Sequence, residues 1–145
     1  MMNKVVASIV FAIMASLTGC GTVQRSVNLS DPTISCIKTD HQSFLQYLYE
    51  KEDTPHVMIG VIDKAPTAGG AIYCVTPGKH KLGVIGYTKG YDWSTDIELD
   101  IKPGTKYWLR TSPSSRYIFQ LFDVTNGSEV MVLEFRRDFR SEVRQ

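Results

Sequence analysis

The sequence has no apolar run long enough to span a bilayer as a helix. Its longest run, Val5–Leu17, has 13 residues, whereas a transmembrane helix needs about 20. A buried core helix is disfavoured at an extreme terminus that carries one positive charge, Lys4, ahead of the run. A basic start followed by a short apolar stretch is instead the pattern of a secretory signal.

The chain also lacks a surplus of charge of either sign. It has 16 Lys and Arg against 15 Asp and Glu, a formal net charge of +1. Nucleic-acid binding depends on cations that neutralise phosphates, so this balance predicts no nucleic-acid partner. The C-terminal segment 136–145 is mixed in sign but leans positive, and we expect a solvated short helix or a frayed end there.

Catalytic motifs are absent as well. The sequence has no Gly-x-Ser-x-Gly, no phosphate-binding loop and no His-Glu-x-x-His. His80 follows a turn and is a candidate general base, although a polar residue at the start of a strand is the simpler interpretation. Asp96, Glu98 and Asp100 share one face of an alternating segment; they could hold calcium, but a solvated face needs no metal. We predict no catalytic residue, no metal site and no cofactor.

Cysteine is scarce, and the first of the three decides where the protein is expected to work. It ends the sequence Leu17-Thr18-Gly19-Cys20, which resembles the lipobox of bacterial lipoproteins. The resemblance implies removal of the signal peptide 1–19 and attachment of three acyl chains, palmitate among them, to Cys20; more than one chain gives stable anchoring. Gly21, in place of an Asp, favours the outer membrane. We expect a lipid-anchored envelope protein that faces the periplasm.

The two other cysteines, Cys36 and Cys74, form an even pair in an exported chain. In an oxidising periplasm such a pair is most simply a disulfide. Free thiols and a metal site are the alternatives. The three histidines (His41, His56 and His80) show no ligand spacing with the cysteines.

Short strand-like segments follow a polar tether. Residues 20–32, the lipidated cysteine and its tether, show no apolar period, whereas residues 33–135 predict one domain. Its apolar or alternating segments are 33–38, 57–63, 71–76, 81–87, 95–101, 106–111, 117–124 and 129–135. Gly83 and Gly86 indicate a bulge in 81–87. The segment 42–50 fits a helix face and an alternating strand, and its aromatics favour a strand.

Turn signals separate these segments. Pro77-Gly78 and Pro103-Gly104 suit the central positions of type II turns and predict hairpins or corners between strands. Asn126-Gly127 predicts a type I′ hairpin. Evenly spaced short strands with such turns predict an all-β, antiparallel sandwich.

The order of strands and turns over residues 57–111 resembles PEGA-like domains and related bacterial lipoproteins. In that pattern a Pro-Gly turn and a histidine start one strand, as in 76–82, and a glycine turn precedes paired aromatics, as in 101–109. The resemblance implies an immunoglobulin-like or transthyretin-like sandwich of about seven or eight strands, without enzymatic activity. This sequence departs from the pattern by a long insertion at 86–93. Tyr107 and Trp108 should point to opposite faces of their strand.

That insertion carries the candidate binding loop Tyr87, Lys89, Tyr91 and Trp93. Aromatics with a few polar groups are typical of recognition surfaces, but loop aromatics can equally fold back and cap the sandwich. The leading hypothesis is a non-enzymatic accessory module that binds an envelope protein within an assembly or secretion system. The alternative is a module that binds peptidoglycan or another glycan through Tyr87, Tyr91 and Trp93.

Overall fold

The computed structural model describes residues 28–51 and 53–137. The signal peptide, Cys20 and most of the charged tail therefore lie outside the described residues. Within them the chain forms nine strands and one helix, α1 (Phe44–Tyr49). The strands are β1 (Ser35–Thr39), β2 (His56–Ile62), β3 (Ala65–Pro66), β4 (Ile72–Val75), β5 (Gly78–Tyr87), β6 (Asp92–Ile101), β7 (Lys106–Ser112), β8 (Ser115–Asp123) and β9 (Val130–Arg136).

Two sheets pack face to face, which confirms the predicted all-β sandwich. One sheet has five strands in the order β4-β1-β7-β8-β9, and the other has four in the order β3-β2-β5-β6. All pairings are antiparallel except β1 with β7. The count is nine rather than seven or eight partly because the two-residue β3 was not expected.

The core follows directly from alternation along the strands. Every second side chain of a strand points to the same face, and most of those facing the other sheet are apolar. In β6, for example, Leu99 and Ile101 are buried while Glu98 and Asp100 are exposed. Among the described residues, the apolar side chains with no exposed surface are Ile37, Val57, Ile59, Val84, Leu109 and Phe119.

The two Pro-Gly pairs form corners between the sheets rather than hairpins within one. Pro77-Gly78 leads from β4 to β5, and Pro103-Gly104 leads from β6 to β7. Gly78 has a φ of 122° and Gly104 a φ of 64°, values that glycine adopts without a steric penalty. The Pro-Gly signal therefore marks the points at which the chain changes sheet.

The hairpin turns differ from the prediction in type. Between β8 and β9 only Gly127 has a positive φ, 78°, so Asn126-Gly127 is not the predicted type I′ turn, which needs positive φ at both central residues. That geometry occurs instead between β2 and β3, where Asp63 and Lys64 have φ of 50° and 70°. Lys81 O accepts a hydrogen bond from Asp63 N at 2.8 Å and holds this turn against β5.

The strand prediction for segment 42–50 is wrong, because residues 44–49 are helical. Ser43 caps the helix: its hydroxyl accepts from Gln46 N, and the Gln46 side chain accepts from Ser43 N. This capping box favours a helix start, which outweighs the aromatic enrichment. Among the described residues, no helix is sufficiently long and apolar to cross a bilayer.

The bulge predicted in 81–87 lies in the neighbouring strand instead. β5 pairs with β6 in an unbroken register from Gly78 to Tyr87, so the segment 86–93 is no irregular insertion. The register shift occurs between Ile59 and Val61 of β2, which makes Gly60 the extra residue.

The predicted disulfide is confirmed. Cys36 of β1 and Cys74 of β4 are directly opposite each other in the sheet and are bonded. The bond links two neighbouring strands of one sheet, so it secures the short edge strand β4.

Candidate functional site

The connections of the sandwich gather at two opposite ends. At the N-terminal end, the chain before β1 contacts the corner after β6, where Gly104 N donates to Thr33 O at 2.9 Å. β1 leads to the other end, here called the distal end, which carries α1, the β5–β6 turn (88–91) and the β7–β8 turn (113–114). The distal end is therefore the part of the sandwich farthest from the start of the domain.

Helix α1 displays large apolar side chains to solvent. The side chains of Leu45 and Leu48 are 66% and 52% exposed, and those of Tyr47 and Tyr49 are 48% and 88% exposed. A surface helix ordinarily turns its apolar face to the core. The described side chains of this helix do the reverse, and this makes α1 the strongest interaction feature at the distal end.

A polar cluster beneath α1 fixes the segment to the sandwich. Glu50 Oε2 contacts His56 Nε2 at 2.7 Å and accepts from Gln42 Nε2 at 2.6 Å. Gln42 N donates to Tyr87 Oη at 2.8 Å, and that oxygen lies 2.9 Å from His41 Nδ1. Residues on both sides of α1 are thereby joined to β2 and β5, so the helix is held in one position.

Partial burial shifts the pKa of two members of this cluster. Burial lowers the pKa of His41, and the neighbouring imidazole of His56 lowers it further. Burial raises the pKa of Tyr87, against the opposing effect of its hydrogen bond from Gln42 N. Both shifts favour the neutral side chains in the folded protein.

The predicted binding loop is divided between core and surface. Trp93 is only 3% exposed, because it occupies a core-facing position of β6. Its ring stacks on Tyr91 at a centroid distance of 5.8 Å and meets the edge of Tyr117 at 5.5 Å. Tyr87 is half-buried in the cluster beneath α1. Trp93 thus folds back onto the sandwich, which was the alternative to its presentation on a binding surface.

Tyr91 is the member of that loop most open to solvent, and Lys89 is half-buried. Tyr91 is 47% exposed and accepts a hydrogen bond from Arg137 Nη1 at 2.8 Å. Lys89 Nζ lies 5.4 Å from the ring centroid of Tyr47, within cation–π range. The loop and α1 therefore form one continuous surface, the distal patch, which consists of Leu45, Tyr47, Leu48, Tyr49, Lys89 and Tyr91.

A second aromatic cluster lies on the outer face of the five-stranded sheet. Trp108 Nε1 donates to Asp40 Oδ1 at 2.8 Å. The Arg110 guanidinium lies between two rings, 4.6 Å from Trp108 and 4.2 Å from Phe122. Asp40, Trp108 and Arg110 border a cleft of about 720 Å³ that continues to the β7–β8 turn. Tyr107 lies on the opposite face of β7, as the sequence predicted, and is buried.

The other candidate residues lie elsewhere. His80 is near the N-terminal end, where Nδ1 contacts Asp63 Oδ2 at 2.6 Å and Nε2 contacts Thr76 O at 2.7 Å. These contacts join two turns. Asp96, Glu98 and Asp100 are exposed along β6. In the described part of the chain, no group of three or more His, Cys, Asp or Glu side chains is arranged to hold a metal ion.

Comparison with family models, curated proteins and solved structures gives no match to this chain. The candidate site is therefore defined by its own geometry: a helix with exposed apolar side chains, held at the distal end by a partly buried polar cluster and extended by Lys89 and Tyr91.

Proposed function

We propose that the chain is a lipid-anchored, non-enzymatic module of the bacterial envelope that binds a protein partner through its distal patch. The observation that supports this most strongly is the exposure of Leu45, Leu48 and Tyr49 on a helix that is capped and fixed in place. Contiguous exposed apolar groups with polar neighbours are typical of protein interfaces. Tyrosines add large contact area at low entropic cost.

The placement of the patch supports the anchored arrangement. If Cys20 carries a lipid, the eight residues to Asn28 can span at most about 29 Å. The N-terminal end of the sandwich would then remain close to the bilayer, and the distal patch would face away from it. A partner in the periplasm or in another envelope layer could reach the patch without displacing the anchor.

The glycan-binding alternative has less support from the geometry. It needs several exposed aromatic faces, but Trp93 is in the core and Tyr87 is half-buried. Tyr91 alone, beside Lys89 and Arg116 at a recess of about 310 Å³, offers a small platform. We therefore prefer the hypothesis that the distal patch binds a protein.

Site-specific photo-crosslinking in intact cells tests the proposal. A photoreactive amino acid at position 49 should give a discrete adduct with one envelope protein, because Tyr49, at 88% exposed, is the most exposed side chain of the patch. The matched control is position 130 at the start of β9, where Val130 is 60% exposed but lies at the N-terminal end, opposite Asp123. Equal labelling at both positions, or none at 49, contradicts the proposal. Retention of the protein on purified cell wall, lost in Tyr91→Ala, would favour the glycan alternative.

The anchor is tested separately. Cys20→Ser removes the acceptor thiol, and the protein should move from the membrane fraction to the soluble periplasmic fraction. Mass spectrometry of the wild-type protein should find acyl chains on Cys20. If the variant stays in the membrane fraction, the lipoprotein interpretation is wrong, whatever the result at the distal patch.

A further inference from the structure

We infer that the free edge of β6 is a docking site for an extended peptide segment in which basic and apolar residues alternate. β6 is ten residues long and ends its sheet, with β5 as its one neighbour among the described residues. A strand with an unpaired edge can add a further strand through main-chain hydrogen bonds. This surface runs along the side of the sandwich, so the inference goes beyond the distal patch.

The register shows which backbone groups are available. Lys81 O accepts from Asp63 N, so the backbone groups of Lys81 point away from β6 and those of Leu82 point toward it. Leu82 is opposite Ile97. Because bonded and outward positions alternate along a strand, the outward N–H and C=O groups of β6 belong to Ser94, Asp96, Glu98 and Asp100.

The side chains of these outward residues define the chemistry of the partner. Asp96, Glu98 and Asp100 are exposed on the solvent face of the sheet. A residue opposite each of them in an added strand would place its side chain on that same face. Lys or Arg at alternate positions would therefore meet carboxylates directly. On the other face, the half-buried Ile97 would be covered by an apolar residue.

On its paired side, β6 already has lysines of β5 opposite its carboxylates. Lys79 is opposite Asp100, and Lys81 is opposite Glu98. Lys81 Nζ also lies 3.5 Å from Asp96 Oδ2. Counting Asp92, β6 has four carboxylates against these two lysines, which leaves negative charge for a second basic strand.

The same carboxylates exclude a second copy of this chain as the occupant. Antiparallel pairing of two β6 edges would place acidic residues opposite one another, which is destabilising. Charged residues on an edge ordinarily protect it from self-association. On β6 the carboxylates would repel acidic strands and attract basic ones, and this difference in binding energy gives specificity.

The other sheet edges in the described residues are less suited to this role. β3 and β4 have two and four residues. β9 has an irregular register between Leu133 and Met131, and a bulge in an edge strand hinders regular pairing. Of the edge strands in the described part of the chain, β6 is the one that combines length, unbroken register and one sign of charge.

Amide hydrogen exchange of the full chain, purified in mild detergent, tests the inference with an end-capped nine-residue peptide that alternates Lys and Val. The peptide should slow exchange about tenfold or more at the amides of Ser94, Asp96, Glu98 and Asp100. A peptide of the same composition with its lysines grouped, and one that alternates Glu and Val, should give no such protection. N-methylation of the bonding face of the basic peptide should abolish binding, since it removes the main-chain donors.

The variant Asp96→Asn/Glu98→Gln/Asp100→Asn keeps side-chain size and removes the charge. It should bind the basic peptide roughly tenfold or more weakly, because three cross-strand ion pairs are lost. Asp53→Asn, which removes an exposed carboxylate at the distal end, is the matched control and should bind normally. Protection at another edge, equal binding of the acidic peptide, or normal binding by the triple variant would overturn the inference. None of these outcomes depends on the distal patch.

Discussion

The indole of Trp93 lies directly against the backbone of Gly86, its partner across the β5–β6 ladder. A Cβ at position 86 would stand 2.6 Å from Trp93 Cζ2 and closer still to Nε1. The missing side chain at 86 is thus what allows a large ring to enter the core at the distal end. Trp93 in turn supports Tyr91, so the contact connects the core with the distal patch.

Gly86→Ala should therefore displace the indole and lower the free energy of unfolding by about 1–3 kcal/mol, the usual cost of overpacking. Urea unfolding followed by tryptophan fluorescence measures both effects. Gly90→Ala is the matched control in the same hairpin, because a Cβ at 90 would have no neighbour within 4 Å. A change at Gly90 as large as that at Gly86 would contradict the steric explanation.

Removal of the disulfide should cost more. The bond closes a segment with a sequence separation of 38, and restriction of the unfolded chain by a loop of this length contributes about 4 kcal/mol in the chain-entropy model. Cys36→Ser/Cys74→Ser should lose most of this stability in urea unfolding. The wild-type protein in excess reductant should match the variant. A difference below about 1 kcal/mol would show that the bond restricts the unfolded chain little.

His41 should make the protein less stable in mild acid. Because its pKa is lowered in the folded state from a value of 6.5, the unfolded chain binds more protons below that pH. The free energy of unfolding therefore falls as the pH drops through and below 6.5. His41→Gln should flatten this dependence, measured as urea midpoints between about pH 7.5 and 5.5. An unchanged slope in the variant would rule out His41 as its source.

Tyr73 should make the protein less stable in alkali. It is 2% exposed, and burial raises its pKa above the usual value of 10.0. The unfolded chain ionises first, so stability is retained below pH 10 and lost as the pH rises through the folded value. Tyr73→Phe should reduce that loss, while at neutral pH it removes the hydrogen bond from Ile59 N. If wild type and variant lose stability in parallel above pH 10, another group is responsible.

Several elements could be predicted because one local rule governed them. In β6, strict alternation marked Ile97, Leu99 and Ile101 as the inner face. Pro77-Gly78 and Pro103-Gly104 marked corners because each pair constrains φ at both positions. Cys36 and Cys74 could be paired because the lipobox resemblance assigned Cys20 to another role.

Prediction failed where two local rules competed. In segment 42–50 the apolar residues fit both periods, and the capping box of Ser43 with Gln46 was the better guide. Asn126-Gly127 has the composition of a type I′ turn, yet that geometry occurs at Asp63-Lys64. There the contacts of Asp63 with Lys81 and His80 hold a conformation that the residues alone do not favour.

The sequence by itself determined the layered β architecture, the two Pro-Gly corners and the pairing of two cysteines, since each depends on neighbouring residues or on simple counting. Only the tertiary structure decided which side chains are available at the surface. Alternation assigns two faces to a strand but does not say that Gly86 leaves room for Trp93. Nor does it show that α1 packs through polar contacts at its ends and leaves Leu48 and Tyr49 in solvent, because that outcome depends on residues brought together from β2, β5 and the segment around the helix.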